Sequence, residues 1–273
     1  MKKLFLAAMV ALTAMGANAQ IARSTMFQAP ERESNTMWYI RAGVSINNGV
    51  MNGNLKDSYK DEDGKTDTGL GSKAGYDIEF GFNKGIGKSG AYWGMEFGFG
   101  TRGYSQKFED SYTSSYSGYS ATYSTVEKKS LLAHRFKFMP VMFGYKYSLT
   151  DKIKLDAHLG AWLSVDMAAS YKTEYERTAV STFPYDEPYR YESESESFGI
   201  GDLKNSDGDG FYNRFDAGIQ VGVGVWYGRW NLDFAYERGF CSFYNYENML
   251  GAKPEKSLSL ASSNVLIRLG FAF

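Results

Sequence analysis

Residues 153–167 alternate without a break. The odd positions, Ile153, Leu155, Ala157, Leu159, Ala161, Leu163, Val165 and Met167, are apolar, and the even ones, Lys154, Asp156, His158, Gly160, Trp162, Ser164 and Asp166, are polar or small apart from one indole. Successive side chains of a strand point to opposite faces, so a period of two predicts a strand with one oily and one polar face. The pattern returns at 38–46, 73–82, 93–100, 214–225, 230–237 and 264–273. In 134–147 the phase slips around Pro140, which has no N–H to give to a ladder, and a bulge is expected there. The count is eight strands.

The polar face decides which solvent the oily face meets. A soluble sandwich or barrel turns its apolar side inward and its charges to water. Here the polar face carries glycines and charges of both signs, whereas the apolar face is bulky and ends in rings. That is the inverted arrangement, with oily residues toward acyl chains and small or charged ones inside. It also accounts for Tyr 21 and Phe 19 in a chain of mean hydropathy -0.39. Rings near strand ends suit the two interfaces, with Trp93, Tyr145, Tyr147, Tyr227, Trp230 and Phe273 at one and Tyr104, Tyr171 and Phe240 at the other.

The remaining composition narrows the classes. Lys+Arg 30 against Asp+Glu 31 leaves no basic excess for a nucleic-acid partner. The single cysteine, Cys241, excludes a disulfide framework and a multi-cysteine metal centre. Lys2 and Lys3, the apolar run 4–15 and Ala17-Asn18-Ala19 read as a signal peptide over residues 1–19, cut between Ala19 and Gln20. Residues 20–36 then form a periplasmic extension, and 37–273 the barrel. Past the signal no uncharged apolar run reaches the roughly 18 residues of a spanning helix. Short links at 83–90, 148–152 and 228–229 alternate with long ones at 47–70, 105–129, 172–210 and 241–257. Turns in the periplasm and loops outside the cell give that alternation, and both chain ends then lie in the periplasm, which requires an even strand number.

With this strand pattern, and a last strand presenting Val265, Ile267, Leu269, Phe271 and Phe273, the chain resembles the small outer-membrane β-barrel proteins of the OmpX/OmpA transmembrane-domain type. In loop style it resembles those of Bacteroidetes-type bacteria. The resemblance spans 37–273 and rests on pattern, not on a catalytic or binding motif. It implies an all-β, antiparallel up-and-down transmembrane barrel, surrounded by the lipid of a Gram-negative outer membrane. It also implies insertion by the barrel-assembly machinery, for which the terminal strand is the signal. Eight strands are expected, or ten if the acidic loop hides a hairpin.

Eight strands enclose room only for side chains. Strand parity sends Arg41, Lys73, Arg102, Lys154, Arg214 and Arg268 inward with Asp77, Glu79, Glu96, Asp156, Asp166, Asp216, Asp233 and Glu237, and with His158, Trp162 and Trp226. Buried charges persist when paired, so an interlocked plug is expected and not an open path. His158 with Asp156 and Asp166 has the composition of a base and its orienter. All three point into a packed lumen, so no catalytic, cofactor or metal residue is assigned and no enzymatic activity is expected. Specific function is placed in the loops. The Tyr/Ser tract of 105–129 suits either contact chemistry or a continuation of two strands. The acidic loop 172–210, with Glu192, Glu194, Glu196 and the run 207–210, and Asp61 and Asp63 in the first loop, lacks the spacing of a calcium-binding loop. The expected role is structural, adhesive or interactive, through an extracellular ligand of these loops. A small porin-like channel and a lipid-modifying enzyme are the alternatives.

Overall fold

The computed structural model describes residues 36–59, 67–87, 90–116, 119–181, 189–191, 195–199, 203–204 and 207–273. Eight long strands follow one another: β1 (Thr36–Met51), β2 (Lys73–Gly85), β3 (Ala91–Tyr116), β4 (Tyr119–Ser148), β5 (Ile153–Ser181), β6 (Phe215–Tyr227), β7 (Trp230–Ser242) and β8 (Leu260–Ala272). Each pairs antiparallel with its chain neighbours, and β8 returns to β1, with Tyr39 opposite Ala272 and Met51 opposite Leu260. Among the described residues the result is a closed up-and-down barrel of eight strands. No helix among them is long and apolar enough to cross a membrane.

Parity holds as the alternation requires. In β6, Phe215, Ile219, Val221, Val223 and Val225 face outward and are exposed, whereas Asp216, Gln220 and Trp226 are buried in the lumen. Glycines on the inner face leave room for long side chains from the neighbouring strand. A Cβ on Gly43 would sit 1.9 Å from the Ile267 carbonyl oxygen and 2.7 Å from the Cα of Arg268. The two-residue link 228–229 turns through Gly228 at φ 60°, a conformation that glycine adopts without strain. The phase slip at Pro140 is a register shift between Phe138 and Val141, and others lie between His134 and Arg135, Gly94 and Glu96, and Arg238 and Ser242.

Two of the long links carry strand. The Tyr/Ser tract, open between contact chemistry and a continuation of two strands, is paired strand where it is described: β3 and β4 stay in register as far as Tyr116 opposite Tyr119. Tyrosine and threonine favour extended backbone, and cross-strand partners hold it, with Tyr112 stacked on Tyr123 at 4.9 Å and Thr113 hydrogen-bonded to Thr122 at 2.9 Å. Residues 172–210 also begin as strand. β5 runs on to Ser181, and Tyr189–Tyr191 and Ser195–Gly199 pair with it outside the ring. The acidic segment therefore adds strands without widening the barrel.

Closure gives a direct test. The unheated protein should migrate faster than the boiled protein on detergent gels, and Gly43→Val, which overpacks by about 1–3 kcal/mol or more, should deplete the fast form. Val44→Ala, on the lipid face, should keep it; equal behaviour of the two variants would contradict the close approach of β1 and β8.

Candidate functional site

The centre of the lumen is a cluster of three cations and four carboxylates. Arg268 of β8 donates to Asp233 of β7 from Nε at 2.9 Å and Nη2 at 2.5 Å, and from Nη1 to Asp77 at 3.2 Å and to Glu79 on β2. Lys137 of β4 reaches across to Glu79 and Glu237, and to Gln220 Oε1 at 3.2 Å. Arg135 pairs with Glu237 and lies 4.9 Å over the Trp162 ring, and Asn264 donates to Glu237 at 3.0 Å. Every one of these charged side chains is buried. Asp77, Glu79 and Glu237 approach closely enough to hold a metal ion, but Lys137 and Arg268 already supply the positive charge.

Toward the short turns the partners become aromatic. Arg41 pairs with Glu96 at 2.8 Å and stacks 4.5 Å over Tyr39, whose hydroxyl also donates to Glu96. Asp156 accepts from the Tyr92 hydroxyl at 2.7 Å and from Trp226 Nε1 at 3.1 Å. The Lys146 ammonium lies over both of those rings, at 4.8 and 4.6 Å. His158 Nε2 stands 3.7 Å from Asp233. The carboxylate beside His158 is thus Asp233, while Asp156 and Asp166 are engaged elsewhere. Lys154 is half-buried at this rim.

At the other end Arg102 joins Asp166 at 2.7 Å, Asp216 at 2.9 Å and the Asn213 carbonyl at 2.8 Å, with its guanidinium 4.8 Å over Phe243. Ser262 and Tyr212 complete the shell by donating to Asp216 and Asp166. Beyond it lies an apolar cap: Met51, Leu55, Leu131, Phe243 and Leu260, with the Tyr104 and Tyr244 hydroxyls bonded at 2.7 Å. Strand residues and the loops that follow β1 and β7 build the cap together. The short helix α1 (Gly53–Asp57) starts at Asn52, whose side chain accepts from Leu55 N at 3.0 Å and so turns Leu55 inward. Helix α2 (Tyr246–Leu250) starts at Asn245 in the same way. Tyr104, expected among the lipid-facing rings, belongs to this cap, because it shares the inward parity of Arg102.

Two of the anticipated inward cations sit differently. Arg214 is exposed: it precedes the first residue of β6, so strand parity does not govern it, and its Nε donates to the Asp166 carbonyl at 3.1 Å. Lys73 is half-buried at the first residue of β2, 3.4 Å from Ser130 Oγ. Arg135 and Lys137 were missed in the sequence because the slip at Pro140 hides the phase of 134–138; the alternation of Phe136 and Phe138 with them is the signal that could have found them. Val265, Ile267 and Leu269 face outward, Phe271 packs on Trp230 at 5.1 Å, and Phe273 N donates to Trp38 O at 3.0 Å. Above the barrel Lys129 bonds Glu127 at 2.9 Å. Partial burial opposes the Glu127 charge, but hydrogen bonds from Lys129 and Tyr175 outweigh it and hold the carboxyl below its usual range. Ala19, Gln20, Asp61, Asp63, Glu192 and Glu194 lie outside the described residues.

Residues 18–245 match the family described as outer membrane protein beta-barrel domain. No curated protein matches the chain significantly in sequence. Three solved structures show a distant likeness. OprG from Pseudomonas aeruginosa is 11% identical, covering 88% of this chain and 97% of that one at a TM-score of 0.35. Neisserial surface protein A is 10% identical, covering 88% and 99% at 0.32. Ail, the attachment invasion locus protein of Yersinia pestis, solved with the heparin analogue sucrose octasulfate, is 12% identical, covering 89% and 100% at 0.28. With a family match over most of its length and a closed ring of eight antiparallel strands, the chain belongs to the outer-membrane β-barrel domain family and is a protein of the Gram-negative outer membrane.

Proposed function

We propose that this protein is a non-conducting, non-enzymatic barrel whose work is done by the sheet and loops raised above the membrane. The observation that carries the reading is the set of buried, paired charges on the inner face. Paired charges line the lumen from Arg41 to Arg102, and the apolar cap around Phe243 and Tyr244 supports a blocked axis. The β3–β4 hairpin meanwhile continues well past that cap and exposes Tyr112 and Tyr123. Rings offer contact area and neighbouring hydroxyls offer hydrogen bonds, which suits an extracellular ligand bound along 105–129 and 172–210. The signal peptide is removed between Ala19 and Gln20, residues 20–36 form a periplasmic extension, and both termini lie on the short-turn, periplasmic side. The strand ending in Phe273 addresses the assembly machinery. Neither a channel nor an enzyme gains support from the lumen, where His158 is buried beside Asp233.

Three measurements test this. In planar bilayers the purified protein should give no steady conductance; a stable open pore would overturn the plugged reading. Arg268→Ala leaves Asp77, Glu79 and Asp233 without their shared cation, and should cost about 3–5 kcal/mol of unfolding stability in urea. Lys73→Ala, at a half-buried position, should cost less than about 1 kcal/mol, and a similar loss for both would contradict an interlocked centre. Protease added to intact cells should cut within 105–129 or 172–210 and spare 83–90; the opposite pattern would reverse the orientation.

A further inference from the structure

The lipid-facing band is not uniformly filled. Tyr145, Ala157, Val223 and Phe234 form one outward row across β4 to β7, each paired in register with the next. Ala157 is the one small side chain in that row, and it leaves a depression of about 410 Å³ walled by Tyr145, Tyr147, Leu155 and Phe234. Its lining is almost wholly apolar and also takes in Asp156, whose side chain is buried, and Gly224. A second depression, of about 320 Å³, lies at the adjacent short turn and is lined by Thr150, Asp151, Lys152, Ile153 and Tyr227. Ile153 and Tyr227 are paired one step below Leu155 and Val225, so the two depressions are successive stations along the same strands.

The turn is held in shape. Thr150 Oγ1 accepts from the backbone N–H of Lys152 and Ile153, at 3.3 and 3.0 Å, and Gly228 N donates to the Lys152 carbonyl at 2.9 Å. Asp151 and Lys152 are exposed there, so one fixed turn presents a carboxylate and an ammonium beside each other. From Lys152 to Ala157 the strand covers about 17 Å at roughly 3.4 Å per residue. One leaflet of hydrocarbon is about half of a 30 Å core, so an acyl chain seated at Ala157 brings its headgroup to the turn. Tyrosines 145, 147 and 227 flank the path with rings suited to the interface.

We propose that this groove is a binding site for a single glycerophospholipid with a zwitterionic amine headgroup, its acyl chain against Ala157, its phosphate at Lys152 and its ammonium at Asp151. Two features select the occupant. The groove opens from the face that already meets acyl chains, and the turn carries the two charges of such a headgroup in complementary sign. An anionic headgroup would meet Asp151 without compensation, and a quaternary ammonium has no N–H to donate to it. The leaflet concerned follows from the orientation proposed above, but the binding itself does not depend on it.

Native mass spectrometry of the detergent-purified protein, titrated separately with dioleoyl phosphatidylethanolamine, phosphatidylglycerol and phosphatidylcholine, reads the site. One phosphatidylethanolamine should bind in preference to the other two. Ala157→Phe should lower its occupancy at least fivefold, with Ala157→Leu in its place if the larger ring blocks folding. Leu159→Phe, on the same lipid face but outside the groove, should leave it unchanged, and every variant must keep heat-modifiable migration. Asp151→Asn should remove the preference over phosphatidylglycerol. Undiminished binding to both Ala157 variants, equal loss with Leu159→Phe, or equal uptake of the three lipids would overturn the proposal while leaving the non-conducting reading untouched.

Discussion

Inside hydrocarbon an unpaired N–H or C=O has no water to turn to, and the pairing of β8 with β1 removes the last two sheet edges. The rest of the structure follows from that closure. A ring of eight strands fixes a narrow interior, so whatever points inward must fit within it. Gly43 and Gly98 let neighbouring backbone come close, and the space left at Gly75 and Gly81 is taken by Thr101 and Asn47 and by Glu96 and Tyr39. The lipid face needs only to be oily, which is why bulky aliphatics and rings are interchangeable there to a degree that the inner face does not allow.

The interior charges are costly to bury and are held by geometry. Arg268 contacts β2 and β7 at once, Lys137 contacts β2, β6 and β7, and Arg102 joins β3 to β5 and β6. A slip of one residue in any of these strands would turn such a side chain toward lipid and leave its partners orphaned. The network therefore specifies the register as well as filling the space. The apolar cap continues this logic at the end of the barrel that carries the long links, where the Arg102 guanidinium lies over the Phe243 ring and is buried.

Much of the barrel was legible in the sequence. The lipid face, the strand number, the three short turns and the bulge at Pro140 come from period two and turn chemistry, which are properties of adjacent residues. Arg135 and Lys137 were not, since the local phase is lost where Pro140 breaks the ladder. Arg214 was assigned by extending parity one residue beyond the strand. The Tyr/Ser tract was open between loop and strand, because tyrosine, threonine and serine suit both until a partner strand supplies hydrogen bonds. Tyr104 shares the inward parity of Arg102 and was still placed among the interfacial rings; what it meets inside, Tyr244 and Phe243, is distant in the chain.

By itself the sequence determined that strands alternate an oily and a polar face and that the oily one meets lipid, because a period of two is written between neighbours and needs no partner. Which charge meets which was decided only by the tertiary structure. His158 beside Asp233, Arg102 between Asp166 and Asp216, and the depression at Ala157 depend on how strands are staggered around the ring. That stagger is set by closure and by the packing of the lumen as a whole, and no segment of the chain carries it alone.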